Sequence, residues 1–342
     1  MNTLFVLAAI AVAISAAATP LVKKIALKLE IIDLPKGKRK IHKKPIPLLG
    51  GLAIYFSFVI VMMLKSGSLS PHETGILIGA TIIVIGGVID DTFELKPRYK
   101  LIFQISAAFV LIFFGVEISS VTNPLAGGYD YWNVGWMTVP LTILWVIGIT
   151  NALNLIDGLD GLAAGVALIS SVTIFIIALL NNRLDAAVLT AILSGAILGF
   201  LPYNFNPAVI FMGDTGSQLL GFLLAAISIE GTIKSAAAFA IAVPILALGI
   251  PIYDTLFAVI RRKMNGKPIM QADRGHLHHR LMDMGLSQRQ TVLIMYLISA
   301  ILGSIAIIAM QISNQRAYFI LALVMGLLVL LAWKCGFFKS RD

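Results

Sequence analysis

Carboxylates at the ends of apolar runs carry the first chemical signal. Asp90 and Asp91 stand side by side in GGVIDD, where charge at a membrane boundary is costly unless a cation or a water-filled cleft receives it. NALNLIDGLDG places Asn151, Asn154, Asp157 and Asp160 at intervals of three, so helical geometry stacks neighbouring members along one drifting face. Gly158 and Gly161 in that segment leave room for backbone to approach a phosphate or nucleotide. FMGDTGSQ sets Asp214 between glycines, followed by Thr215 and Ser217, so that backbone N–H groups can meet an anion beside a metal-holding carboxylate. Asp254, after PIY at a span end, belongs to the same face, with a helix cap as the alternative. A solvated pair, a cap or a plain turn explains each group alone, but no one of these explains four polar positions in register.

Basic and aromatic nitrogen donors form the complement. ADRGHLHHRL concentrates His276, His278, His279 and Arg280 in a few residues. Cys335 is the single cysteine, which excludes an internal disulfide and a CxxC metal cluster. With cationic neighbours and no thiolate at hand, the histidine segment is expected to meet phosphate or nucleotide oxygens instead of a transition metal. RKIHKKPIPLLGG is a second basic, anion-facing segment, ahead of paired glycines. Carboxylates for a hard divalent ion, Lys, Arg and His for phosphates, and a membrane to hold a lipid together describe phosphoryl transfer.

The elements that must position these residues are membrane helices. A chain of 342 residues, 58% hydrophobic and 13% charged, with a mean hydropathy of +0.93, is no ordinary water-soluble domain. Apolar runs near 3–20, 47–64, 75–89, 101–118, 136–151, 162–180, 186–201, 217–229, 235–253, 291–310 and 317–333 predict an all-α integral membrane protein. The expected architecture is a polytopic bundle of about 11 transmembrane helices in one domain, residues 1–342. Of the 26 Lys and Arg, 22 fall in one set of alternating loops, which places the N-terminus outside and the C-terminus in the cytoplasm. Twelve of the 17 acidic residues fall in that same set. The first span reads as a retained helix, since Lys23 and Lys24 follow it and no basic residue precedes it. A net charge of +9 sits beside the spans, where it fixes topology and meets anionic headgroups, so nucleic acid is not an expected partner.

GGVIDD, NLIDGLDGLAAG, FMGDTGS and HLHHRL, in this order on alternating loops, resemble the polyprenyl-phosphate N-acetylhexosamine-1-phosphate transferase family, and most of all its WecA/TagO-like branch. The resemblance spans nearly the whole chain. It implies transfer of N-acetylglucosamine 1-phosphate from UDP-N-acetylglucosamine to undecaprenyl phosphate, with release of UMP, at the cytoplasmic face of a bacterial inner membrane. It also implies magnesium, or manganese in its place, with Asp214 as the principal ligand. Asp90 and Asp91 would lie next to the lipid phosphate, Lys100 would neutralise phosphate charge, and Asn151, Asn154, Asp157 and Asp160 would line the nucleotide side. His276, His278, His279 and Arg280 would hold the sugar-linked diphosphate. A homodimer is compatible with the resemblance. The branch that uses UDP-N-acetylmuramoyl pentapeptide carries three consecutive histidines, which Leu277 interrupts here. Leu48 departs from the polar or basic residue that relatives often carry ahead of the paired glycines. A CDP-alcohol phosphotransferase is set aside because Gly165 stands where its signature needs Arg. An ion-coupled transporter would place its acids near mid-membrane instead of at one set of helix ends.

Overall fold

A computed structural model describes residues 2–35, 44–65, 67–122, 131–233, 242–266, 275–311 and 314–334. Cys335, residues 39–43 of the basic first loop, residues 235–241 of the ninth expected span, and Asp273 and Arg274 ahead of the histidines lie outside the described residues. In chain order the helices are α1 (Asn2–Lys28), α2 (Gly51–Leu64), α3 (Pro71–Phe93), α4 (Pro97–Phe113), α5 (Thr138–Ile156), α6 (Leu162–Leu180) and α7 (Leu184–Asn204). There follow α8 (Gly213–Ser228), α9 (Ala242–Ala247), α10 (Gly249–Met264), α11 (Leu277–Asp283), α12 (Gln288–Met310) and α13 (Asn314–Lys334). Runs of Leu, Ile, Val and Ala adopt helix because a bilayer interior offers backbone groups no partner but each other. Helix starts are written in the chain: Ser70 with Glu73, and Ser287 with Gln290, form reciprocal capping boxes on α3 and α12.

The described parts of the expected spans are mainly helical, and the protein is an all-α membrane protein in its architecture, with two small additions. β1 (Ile32–Asp33) pairs antiparallel with β2 (Ile46–Pro47), and β3 (Ser120–Thr122) with β4 (Tyr131–Asn133). Among the described residues, six helices are long and apolar enough to cross a membrane by length and composition: α1, α3, α5 with its preceding turn, α6, α7 and α12. The ninth expected span is not one rod, because α9 stops at Ala247 and α10 starts at Gly249. Pro251 gives the reason, since it lacks an N–H and its ring excludes a helical carbonyl four residues back, at Ala247.

The site rests on α8, which is buried from Thr215 through Ser228 and packs against α3, α5, α2 and α6. In lipid, close approach of small residues replaces the hydrophobic drive between helices. A Cβ at Gly51 would lie 2.2 Å from the Cα of Gly216, and one at Gly87 would lie 2.4 Å from the Cα of Thr215. Both glycines therefore set how near α2 and α3 come to the start of α8. Backbone bonds finish the join: Phe211 N–H donates to Pro47 O, Gly50 N–H to Phe211 O and Gly51 N–H to Met212 O, each at 2.9 Å.

Candidate active site

Gly87 precedes Asp91 by one helical turn, so the contact that brings α3 onto α8 also delivers this carboxylate to the first turn of α8. Asp91 Oδ1 accepts the N–H of Asp214 at 2.8 Å, and its Oδ2 accepts the N–H and the hydroxyl of Thr215 at 3.1 and 2.6 Å. A carboxylate from one helix thus caps the N-terminus of another, satisfying donors that a helix start leaves unpaired. Gly213, with a φ of +72°, makes the turn into α8, and a Cβ there would strike Asp91 Oδ2 at 2.4 Å.

Asp90 points elsewhere, because successive residues on a helix diverge by about 100°. Its Oδ1 accepts the N–H of Leu95 at 2.7 Å, and its Oδ2 forms an ion pair with Lys100. The same Lys100 ammonium pairs with Asp214 Oδ2. Asn154 donates to Asp214 Oδ1 at 2.8 Å and to Ser217 Oγ at 2.9 Å. Asp214 is therefore held from α4 by Lys100 and from α5 by Asn154, while Asp91 anchors its backbone from α3.

Asp90, Asp91, Lys100 and Asp214 open onto one cleft of about 920 Å³, while Asn154 supports Asp214 from behind without being among its lining residues. Its described lining includes Asp90, Asp91, Lys100, Asp157, Asp160 and Asp214 from the sequence reading, together with Glu30, Asp33 and Glu94. Among the described lining residues, eight acidic side chains thus stand with Lys100 as the single basic one. Burial, with the carboxylates of Asp214, Asp91 and Asp160 nearby, pushes the Asp157 carboxyl up to about 8. Asp160 Oδ2 accepts from Asn206 Nδ2 and from the Ala208 N–H, both at 3.0 Å, tying the cleft rim to the segment between α7 and α8. Asn151 is not among the cleft-lining residues; it bonds to Gln104 on α4.

All-oxygen donors of this kind suit a hard divalent cation, and the excess of negative charge calls for one before an anionic substrate can enter. Among the described residues no three His, Cys, Asp or Glu side chains form a ready-made cage.

The histidine segment sits beside the cleft without lining its described surface. Asp254 Oδ2 pairs with His276 Nδ1 at 2.7 Å, and its Oδ1 accepts the Leu277 N–H at 2.8 Å, so Asp254 fixes the start of α11. Arg261 and Arg280 both donate to Gly275 O at 3.0 Å. The rings of His278 and His279 lie 4.2 Å apart, centroid to centroid. A Cβ at Gly158 would lie 2.7 Å from His278 Nε2, so α11 abuts the Asp157 segment. Burial, reinforced by His279 and His276 against an opposing Asp254, pushes His278 down to about 3, which keeps it neutral. Gly161 meets Phe205 and Tyr296, so the room that the sequence suggested for a bound group there is occupied by protein side chains. Tyr296 donates its hydroxyl to Gly161 O at 2.5 Å.

Residues 74–232, which hold every cleft-lining aspartate named above except Asp33, match the profile described as glycosyl transferase family 4. A Bacillus subtilis (strain 168) protein described as a probable undecaprenyl-phosphate N-acetylglucosaminyl 1-phosphate transferase is 40% identical over 323 residues, covering 94% of this chain and 89% of its own. The chain belongs to the polyprenyl-phosphate N-acetylhexosamine-1-phosphate transferase family, in its WecA/TagO-like branch. An Escherichia coli (strain K12) member, an undecaprenyl-phosphate alpha-N-acetylglucosaminyl 1-phosphate transferase, is 30% identical over 91% of this chain and 84% of its own. A Mycobacterium tuberculosis (strain ATCC 25618 / H37Rv) member, a decaprenyl-phosphate N-acetylglucosaminephosphotransferase, is 37% identical over 82% of this chain and 76% of its own. Within this transferase, sequence reasoning passed over Glu30, Asp33, Glu94 and Gln104. Asp33 had a visible signal, an acid in a loop otherwise rich in lysine, whereas Gln104 had none, being one amide within an apolar run.

Proposed function

We propose that the protein transfers N-acetylglucosamine 1-phosphate from UDP-N-acetylglucosamine to undecaprenyl phosphate, releasing UMP and a lipid-linked amino sugar for an envelope polysaccharide. The observation that carries this reading is a single lysine shared between Asp90 and Asp214 in an otherwise acidic cleft, in a chain whose relatives are named for this activity. The membrane is the bacterial cytoplasmic membrane, crossed about eleven times, with the cleft on the cytoplasmic side. Lysines at the end of α1 and the Arg261–Lys263 run at the end of α10 support that side, since both helix ends flank the cleft or its neighbouring histidine segment.

The reaction breaks the bond between the sugar-bearing phosphorus and the UMP oxygen and forms a bond from a lipid-phosphate oxygen to that phosphorus. Asp214, with help from neighbouring carboxylates, would hold magnesium, which would supply charge neutralisation on the diphosphate. Lys100 orients the lipid phosphate through the ammonium it shares with Asp90 and Asp214. Asp91 has its oxygens engaged by the α8 N-terminus and so positions Asp214, leaving Asp90 as the carboxylate nearer the phosphate. A phosphate monoester is already ionised near neutral pH, so it attacks in one displacement without an aspartyl intermediate. Asn154 and Asp157 face the nucleotide, and Arg280 with the histidines holds the donor diphosphate, His278 acting as a neutral hydrogen-bonding group.

The test is to offer purified protein UDP-N-acetylglucosamine, UDP-N-acetylgalactosamine or UDP-N-acetylmuramoyl pentapeptide with undecaprenyl phosphate. UMP and the glucosamine product are expected, abolished by chelation and restored by magnesium or manganese. Reaction with the pentapeptide donor alone would reverse the branch assignment, and uptake without UMP release would indicate a transporter. A phosphosugar trapped on Asp90 or Asp91 with no lipid present would sink the single displacement. A cysteine at Asn182 labelled from outside intact cells, and one at Lys96 labelled after permeabilisation alone, would support the orientation; the reverse pattern would defeat it.

A further inference from the structure

One helical turn beneath the site lies a second tier of polar contacts that joins the same three helices. Gln104 on α4 is fully buried and lies four residues after Lys100, on the same helix face. Its Nε2 donates to Gln218 Oε1 on α8 at 3.1 Å and, more weakly, to Asn151 Oδ1 on α5 at 3.4 Å. Its Oε1 accepts from Asn151 Nδ2 at 2.9 Å, and Asn151 also donates to Ile147 O at 2.9 Å. Each member stands one turn from a site residue: Gln104 from Lys100, Asn151 from Asn154 and Gln218 from Asp214.

We propose that Gln104, with Asn151 and Gln218, is a positioning residue that sets the height and rotation of α4, so that Lys100 lies between Asp90 and Asp214. A lysine on four rotatable carbons does not locate itself, and an apolar contact between membrane helices tolerates sliding. A buried amide that bonds two neighbouring helices tolerates neither a slide of one turn nor a rotation, because either leaves polar atoms unpaired where water is absent. Asn151 accordingly acts through Gln104 and not by touching the donor. This inference rests on the transfer activity proposed above for the role of Lys100.

The test pairs kinetics with a readout that needs no turnover. In Gln104→Met, of similar size and without donors, acylation of Lys100 by an amine-reactive reagent, followed by peptide mass spectrometry, should rise severalfold while Lys96 stays unchanged. Turnover should fall about 10- to 100-fold with the KM for UDP-N-acetylglucosamine within about twofold, the pattern of a misplaced group. If Gln104→Met does not fold, Gln218→Met, which loses one bond, is read in the same way. An unchanged Lys100 labelling rate, an unchanged kcat, or a raised KM with kcat retained overturns the proposal. If the wild type transfers nothing, the functional reading fails, and the labelling comparison still decides whether Gln104 sets Lys100.

Discussion

At the end of the bundle that holds Asp214, eight acidic side chains line one cleft in which Lys100 is the single basic residue of the described lining, whereas at the opposite end Lys65 and His72 each meet one acid. There Lys65 pairs with the buried Glu73 at 2.5 Å, which also closes the capping box of α3, and His72 pairs with Glu230 at 3.2 Å. Paired charge at a helix end serves folding. Negative charge gathered on one cleft from α3, α8 and the segments that follow α1 and α5 opposes it, and such charge is kept where it serves a site. The contrast separates residues that build the bundle from residues that work in it.

Asp214→Asn should break the contrast hardest. It removes the carboxylate that Lys100 and Asn154 hold, and turnover should fall by on the order of 10³-fold or more, with insertion into membranes nearly intact. Radiolabelled product per folded protein is the measure, and full activity in this variant would void the assigned role. Asp91→Asn removes a cap and an anchor together, so it should lower both activity, by about 10²-fold, and stability, by about 1 kcal/mol. Loss of activity with an unshifted melting temperature would assign Asp91 to chemistry instead of positioning.

The opposite end should respond the other way round. Lys65→Met strands Glu73, whose side chain is 2% exposed, and should lower stability by about 3 kcal/mol while turnover per folded molecule holds. Adding Glu73→Gln should recover part of the loss; a fall in kcat in the single variant would show that the far end is coupled to the cleft. His72→Ala should do least, well under about 1 kcal/mol, because that pair is partly exposed and screened.

Much of the site was legible before any coordinates, for a reason visible in Asp90, Asp157 and Asp214. Charge is rare in apolar runs, alternate spans return the chain to the same face, and so acids at alternate span ends must share a side. Helical intervals also exposed Asn151 and Asn154 as kin. Periodicity does not say what each side chain meets. Asn154 reaches Asp214 while Asn151, one turn away, turns to Gln104, and the division depends on α4 and α8, whose residues lie more than forty positions distant.

Residue types, the order of the four motifs and the lopsided placement of Lys and Arg were enough to define a membrane bundle with an acidic, phosphate-handling face and to reveal its family. The separation of Asp90 from Asp91 was decided by tertiary structure alone. Identical and adjacent in the chain, they leave the helix in different directions; one finds Lys100, and the other finds the bare N–H groups of α8, brought within reach because Gly87 lets two backbones touch.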